Sequence, residues 1–278
     1  MAVTTSPSPI GELLRSWRQR RSLSQLDLAL EAEVSARHLS FLETGRSRPS
    51  REMVIRLSEE LEVPLRERNG LLLAAGYAPE YAERPLDAPE MEPVRQAIER
   101  FLRAHEPYPA VVVDRYHNLL TANDALDLLL HGVAPQLLEP PANGMRIALH
   151  PQGMASRTLN LREWSAHLLH RVRREAQLTG DPELAALYDE LSTYPGVHIG
   201  PEHAELQPAD IVLPLRLLDI DGTSELAFFS TLSTFGTASD VTLSELAIEA
   251  FYPANARTAM RLLHQVTSPP SESVAGSE

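Results

Sequence analysis

Hydrophobic positions recur at helical intervals through the first 76 residues of the chain. Ile10, Leu13, Leu14 and Trp17 share one face of a first helix. Serine residues that suit N-cap positions precede the next three amphipathic stretches, and Pro64 starts a last one. Glycine residues that suit the position after a helix follow the second of these three stretches and the last one. These residues are Ser24, Ser35, Ser50, Gly45 and Gly76. The pattern predicts a compact, all-α, five-helix domain over residues 10–76, after a disordered tail at 1–9.

The pattern changes after a stretch rich in proline and acidic residues at 77–91, which predicts a linker. A helix near residue 92 is followed by an apolar run at 110–113 and a second short run, which together indicate a hairpin. Asn123 or Asp124 suits the cap of the next short helix. Further helices are expected at 161–178 and 182–194.

Three strand-like runs come late in the chain, and the Asp221-Gly222 turn joins the first two. The runs are DIVLPLRLLDI, ELAFFSTLSTFG and SELAIEAFYP, the last of which begins at Ser244. A last helix is expected at 253–266. Residues 92–267 therefore predict an α+β domain with a five-stranded antiparallel sheet and helices on one face. The remaining residues, 268–278, predict a disordered tail. The fold class is multidomain.

Charge is distributed unevenly along the 278 residues, whose net charge is −13. Residues 1–76 contain 11 Arg against 10 acidic residues, whereas the remainder contains 14 Arg against 28 acidic residues. This asymmetry indicates an N-terminal unit that contacts phosphate and an acidic unit that does not. The chain has no cysteine, which excludes disulfides. The absence of a long apolar run or a signal peptide leads us to expect a cytoplasmic protein without membrane contact.

The segment 24–50 has the features of a helix-turn-helix. Ala29 is a small residue on the first helix that allows close crossing, and Leu39 and Leu42 on the second helix face inward. Arg37 and His38 then face outward, where Arg can contact guanine in the major groove. A solvated helix face would explain the same two residues without any DNA.

This segment resembles the Xre/Cro family of bacterial and phage repressors, through Ser24-Gln25-x-x-Leu28-Ala29, Val34-Ser35-x-x-x-Leu39-Ser40-x-x-Glu43-x-Gly45 and Pro49. The resemblance implies a lambda-repressor-like DNA-binding domain and a pair between Arg18 and Glu43. The chain departs from the family at Glu33, where glycine is usual, which puts the left-handed turn in doubt. The expected DNA-binding residues are Gln25, Ser35, Arg37, His38, Ser40, Arg46, Arg48 and Arg51.

The larger domain contains NLLTANDAL, which resembles the opening of a PAS domain. Together with HPQGM, NLREWSAHLLHRVRREA and FFSTLSTFGTASDVTLSELAIEAFYPAN, it resembles the MmyB-like ligand-binding domain that follows an Xre-type domain in bacterial regulators. The resemblance implies a PAS-like fold with an apolar cavity for a small molecule such as a fatty-acyl compound. The candidate ligand residues are Arg146, Arg157, Trp164, Leu168, Phe228 and Phe235, and Leu169 and Phe251 are further apolar residues that could line a cavity. These aromatic and aliphatic residues equally fit a packed core.

The function predicted from these features is a sequence-specific transcriptional regulator. We expect a double-stranded DNA operator and a small apolar ligand as partners, and a homodimer because one recognition helix specifies too few base pairs. Glu163, His167 and His170 share a helical spacing, but an amphipathic helix explains them, and we expect neither a metal nor another cofactor. Two alternatives stay open: a protein-interaction module, and an enzyme that uses the larger domain for catalysis.

Overall fold

A computed structural model describes residues 9–200 and 212–267. Contacts divide them into two compact units. The first unit contains the chain up to Met91 together with Arg174–Ala185 and Phe235–Glu245, and the second contains the rest. The predicted tail at 268–278 lies outside the described residues, as does the tail at 1–9 except for Pro9, which opens a helix. Of the helices in these ranges, none has the length and apolarity that crossing a bilayer requires.

The first unit confirms the predicted all-α domain with five helices. They are α1 (Pro9–Arg20), α2 (Gln25–Glu31), α3 (Ala36–Glu43), α4 (Arg51–Glu60) and α5 (Leu65–Ala74). The side chains of Ser24, Ser35 and Ser50 each accept a hydrogen bond from the backbone N–H three residues later, as their N-cap positions predicted. These caps fix where α2, α3 and α4 begin.

Helix α1 crosses α3 at very close range. A Cβ atom at Gly11 would lie 2.6 Å from the carbonyl oxygen of Leu42 and 2.7 Å from that of Glu43. Only glycine fits this position without moving one of the two backbones. Leu14 and Trp17 on α1 are buried with Leu39 and Leu42 on α3 in one hydrophobic core.

A buried ion pair joins the same two helices. The Arg18 Nε donates to Glu43 Oε1 at 2.6 Å, and Arg18 Nη2 donates to Glu43 Oε2 at 2.9 Å. The hydrogen bonds that Arg18 donates to this carboxylate raise the pKa of Arg18 above its usual value. Arg18 Nη1 also donates to the carbonyl of Leu23 at 2.7 Å, before α2 begins. The pair implied by the family resemblance is therefore present.

The predicted linker at 77–91 lies against the helices of the first unit. The Tyr77 hydroxyl donates to the carbonyl of Pro49 at 3.0 Å, and Asn69 Oδ1 accepts from the backbone N–H groups of Glu80 and Tyr81 at 3.0 Å each. The prolines disfavour helix and strand in this segment, yet the segment still packs. It does so because side chains of α5 form hydrogen bonds with backbone groups that would otherwise pair with a neighbouring strand.

The segment Phe235–Glu245 also packs within the first unit, although in sequence it separates two strands of the second. It contains helix α11 (Val241–Ser244), which Asp240 caps. Val241 is fully buried, and its N–H donates to the carbonyl of Ala82 at 2.8 Å. Arg66 on α5 donates to both Glu245 carboxylate oxygens, at 2.8 and 2.9 Å. The predicted strand beginning at Ser244 was therefore wrong over its first residues.

The second unit contains the predicted α+β domain. Its helices, two of which run partly into the first unit, are α6 (Glu92–His105), α7 (Asp127–Leu130), α8 (Gly144–Leu149), α9 (Leu161–Thr179), α10 (Pro182–Leu191) and α12 (Ala256–Thr267). Its strands are β1 (Ala110–Val113), β2 (Leu119–Ala122), β3 (Leu215–Leu218), β4 (Glu225–Thr234) and β5 (Ala247–Pro253). The sheet order is β2-β1-β5-β4-β3, and every neighbouring pair is antiparallel.

Two details of this domain differ from the prediction. Val111 and Val113 point to one face of β1 and Ala110 and Val112 to the other, yet all four are buried, so the sheet is covered on both faces at β1. Asn123 precedes a short 3-10 turn without capping it. Its side chain instead accepts from the backbone N–H of Ala110 at 2.9 Å and donates to the carbonyl of Tyr108.

Removing one partner of the buried pair should strongly destabilise the first unit. We expect Glu43→Ala to lower the free energy of unfolding by about 3–5 kcal/mol, because the Arg18 charge would stay buried without its counterion. Trp17 fluorescence during urea unfolding, in a Trp164→Phe background, measures the change. The double variant Arg18→Met with Glu43→Leu should lose less, since it removes both charges. A loss below about 1 kcal/mol for Glu43→Ala would contradict a structural role for the pair.

Candidate functional site

Helix α3 separates buried apolar residues from exposed polar ones. The Ser35 hydroxyl accepts from the His38 N–H at 3.1 Å and fixes the first turn. Leu39 and Leu42 are fully buried beneath the helix. Arg37 is therefore exposed and His38 half-buried, at the end of the helix where free backbone N–H groups favour anions. The predicted outward face of α3 is present.

An aromatic side chain that sequence reasoning missed lies between two of the predicted arginines. The guanidinium carbon of Arg37 lies 5.3 Å from the centre of the Phe41 ring, and that of Arg46 lies 5.9 Å from it. Such cation–π contacts hold flexible side chains over one surface. The spacing of four residues between Arg37 and Phe41 was a signal that could have identified Phe41. Arg48 is exposed in the same loop as Arg46.

Three other predicted residues have contacts within the first unit. Gln25 Nε2 donates to Glu43 Oε2 at 2.8 Å, so its amide is oriented toward the buried ion pair. Arg51 forms an ion pair with Glu80. The backbone carbonyl of Ser40 accepts from the Thr44 hydroxyl at 2.7 Å, and the side chain of Ser40 is half-buried.

The turn between α2 and α3 adopts the left-handed conformation despite its glutamate. Glu33 has a φ of 53°. Its N–H donates to the carbonyl of Leu30, and the N–H of Val34 donates to that of Ala29 at 2.8 Å, which closes the end of α2. The doubt raised by the missing glycine is thus resolved: the geometry is kept, and Glu33 bears the steric strain.

The second unit contains a narrow cavity of about 80 Å³ between the sheet and the helices. Val111 on β1 and Phe251 on β5 line it from the sheet, and Trp164 and Leu168 line it from α9. Met145, Ile147 and Met154 complete much of the apolar wall. Two polar side chains, His117 and Glu249, also line it. The structure therefore brings the predicted Trp164 and Leu168 together in one cavity wall.

The other predicted ligand residues lie elsewhere. Phe228 is fully buried in the core cluster, and it is not among the described residues that line the cavity. Phe235 belongs to the first unit because β4 ends at Thr234 and the following segment leaves the sheet. Sequence reasoning could not separate core from cavity, since both use the same apolar residue types.

The two candidate arginines are not among the described residues that line the cavity, and both are engaged with protein groups. Arg146 donates to both carboxylate oxygens of Glu190, at 2.8 and 2.7 Å, which raises the pKa of Arg146 and lowers that of Glu190. Arg157 donates to the carbonyls of Leu128, Leu129 and Leu218, and burial lowers its pKa. These donors are used within the protein, and the prediction that the two arginines bind ligand stays a prediction.

The histidines that raised the question of a metal have other surroundings. The His167 ring lies 5.5 Å from the Trp164 ring, centre to centre. Within residues 9–200 and 212–267, no group of three or more His, Cys, Asp or Glu side chains has a geometry suited to a metal ion.

Comparisons with known proteins match two parts of the chain to family models. The model described as MmyB-like transcription regulator ligand binding domain matches residues 94–263, and one described as Helix-turn-helix matches residues 14–68. A search of curated proteins found no match.

Two solved structures of the clp gene regulator ClgR from Corynebacterium glutamicum are also similar to this chain. The first has 29% identity and covers 25% of this chain and 86% of that chain, with a TM-score of 0.22. The second has 23% identity and covers 37% of this chain and 99% of that chain, with a TM-score of 0.23.

Replacing Glu33 by glycine should relieve the strain in the turn that precedes α3. We expect Glu33→Gly to raise the free energy of unfolding of the first unit by about 0.5–1 kcal/mol, after the entropy lost by glycine is deducted from the relieved strain. Urea unfolding followed by Trp17 fluorescence measures it. The control Glu33→Ala retains a Cβ atom and should bring no gain. An equal gain in both variants would show that the glutamate charge, and not its φ, destabilises the turn.

Proposed function

We propose how the two units of this chain perform the function of its family, the MmyB-like transcription regulators. The chain belongs to this family because the family model matches more than half of the chain's length. The protein is a DNA-binding helix-turn-helix regulator with a ligand-binding domain. The observation that carries the proposal is the capped helix α3, whose buried leucines leave Arg37 and His38 at the surface.

In the proposed complex, α3 lies in the major groove of an operator. Arg37 and His38 contact base edges, and the free N–H groups after Ser35 bind a phosphate. Arg46 and Arg48 contact the DNA backbone, and Phe41 holds Arg37 and Arg46 over the same surface. Gln25, Ser40 and Arg51 contribute secondary phosphate contacts. For Arg51 this contact requires exchange of its ion pair with Glu80.

We propose that the active species is a cytoplasmic homodimer. A single recognition helix reads only a few base pairs, and two helices one helical turn apart specify a longer, palindromic operator. The support is the small size of the reading surface on one α3, which is eight residues long.

The ligand is proposed to be a small apolar molecule that binds in the cavity lined by Trp164, Leu168 and Phe251. At about 80 Å³, the cavity is smaller than the roughly 300–1,000 Å³ of typical ligand sites. A long acyl chain therefore requires the wall to open. Met145 and Met154 support such opening, because methionine is unbranched and repacks readily.

Ligand occupancy is proposed to change operator affinity. Such coupling requires that the ligand bind more tightly to one arrangement of the protein than to another. If the two arrangements differ in DNA affinity, the ligand changes the affinity for DNA, and DNA changes the affinity for the ligand by the same factor. Operator binding with and without bound ligand is the measurement that tests this step.

The DNA-binding proposal predicts a specific loss on removing Arg37. Arg37→Ala should weaken binding about 10- to 100-fold, because a bidentate contact to guanine contributes roughly 1–3 kcal/mol. Fluorescence anisotropy with a duplex selected from a random library by the wild-type protein measures the affinity. The wild-type affinity should also fall steeply with salt, as counterions are released.

The matched control is Arg100→Ala, which removes an exposed arginine from α6 in the second unit. It changes the net charge equally and should leave operator affinity within about twofold. Equal losses in the two variants would contradict readout by α3. Duplex binding that does not depend on salt, or no binding at all, would favour the protein-interaction module.

The cavity proposal predicts binding of an uncharged apolar probe. Benzene enters dry apolar cavities, so it should bind the wild type and raise its thermal midpoint. Ala148→Phe, in the cavity wall, should abolish the shift by filling the space, whereas Ala186→Phe on the exposed side of α10 should retain it. Benzene binding that survives Ala148→Phe, or no binding to the wild type, would refute this ligand site.

A further inference from the structure

Helix α3 carries one large apolar side chain on its outward face. Leu39 and Leu42 are fully buried beneath the helix, whereas Phe41 is only half-buried. Phe41 follows Arg37 by four residues, so the two side chains lie on the same side of the helix, one turn apart. The surface that is proposed to enter the major groove therefore includes an aromatic ring.

The end of α3 and two arginines hold the Phe41 ring in place. The carbonyl of Phe41 accepts from the backbone N–H groups of Arg46 at 2.8 Å and Ser47 at 3.1 Å, so the loop after α3 returns to the last turn of the helix. The guanidinium carbons of Arg37 and Arg46 lie 5.3 and 5.9 Å from the ring centre. A side chain that is held in this way loses little conformational freedom when it meets DNA.

The spacing between Arg37 and Phe41 determines which base pair the ring can reach. One helical turn advances about 5.4 Å, and neighbouring base pairs are about 3.4 Å apart. With Arg37 on a guanine, the ring comes to the base pair one or two steps away. A phenyl ring cannot satisfy the hydrogen-bonding groups of a base edge, and the apolar group that a base presents in the major groove is the 5-methyl group of thymine.

We propose that Phe41 is a specificity-determining residue, whose ring packs against the 5-methyl group of a thymine one or two base pairs from the guanine that Arg37 contacts. The inference rests on the proposed DNA-binding function and deepens it, because it names a second base of the operator. Arg37 recognises its base by hydrogen bonds, and Phe41 by apolar contact. Cytosine at the second position is disfavoured, since its amino group would lose water without gaining an acceptor.

Replacing thymine by uracil tests this contact, because it removes only the methyl group and keeps the hydrogen-bonding pattern of the base pair. Selection from a random library by the full wild-type chain gives the operator, and the position at which Arg37→Ala loses its preference identifies the guanine. Uracil at the thymine within two base pairs of that guanine should weaken wild-type binding about three- to tenfold, measured by fluorescence anisotropy. Uracil at a thymine in the flanking duplex, outside the selected sequence, is the control and should leave the affinity unchanged.

Phe41→Gln separates direct contact with the base from positioning of Arg37. This variant loses both, but comparing thymine with uracil within the same variant cancels the effect on Arg37. We expect uracil to weaken binding of Phe41→Gln by less than about 1.5-fold, because no apolar contact with the methyl group remains. The conservative variant Phe41→Leu keeps an apolar side chain and should retain a loss of at least about twofold.

The wild-type measurements decide the question even if Phe41→Gln fails to fold. 5-Methylcytosine carries the same methyl group as thymine, so it should bind about three- to tenfold more tightly than cytosine at this position. If the selected operator has no thymine within two base pairs of the guanine, or if either methyl group brings no gain, the inference is wrong. An equal loss with uracil in the wild type and in Phe41→Gln would also overturn it. If Arg37→Ala and Arg100→Ala weaken binding equally, the proposed DNA-binding function itself fails.

Discussion

The buried pair between Arg18 and Glu43 is the constraint on which the first unit depends. Two opposite charges withdrawn from water are tolerated only when they stay together, so α1 and α3 cannot separate without exposing or isolating one of them. Arg18 also reaches the Leu23 carbonyl, and Gln25 reaches the same carboxylate. One polar cluster therefore links three helices, and the outward face of α3 takes its orientation from it.

The rule that a charge withdrawn from water needs a partner also applies to arginines of the second unit. Two of its arginines are matched to groups of the chain itself, Arg146 to the Glu190 carboxylate and Arg157 to the Leu129 carbonyl. No arginine is among the described residues that line the cavity, and its wall is mainly apolar. The character of the cavity wall thus depends partly on where guanidinium groups are held and not only on which residues line the cavity.

Local signals were the part of this structure that sequence could predict. Ser35 as an N-cap depends on residues within one turn, and its assignment was correct. Cavity residues such as Val111 and Phe251 come from strands far apart in sequence, and only the register of β1 on β5 brings them together. The partner of Arg146 lies 44 residues away on α10, where no spacing rule applies. The pair between Arg18 and Glu43 could be predicted from the sequence only through the family resemblance.

The helix-turn-helix unit is discontinuous in sequence, because the segment Phe235–Glu245 returns to it from between β4 and β5. A fragment that ends at Met91 lacks the acceptors that Arg66 and Arg84 use on Glu245 and Asp240, and it lacks Val241, which donates to the Ala82 carbonyl. An exchange of helix-turn-helix units between relatives, by recombination or by engineering, must therefore include the segment Phe235–Glu245. The boundary of the exchangeable module is set by packing rather than by the order of residues.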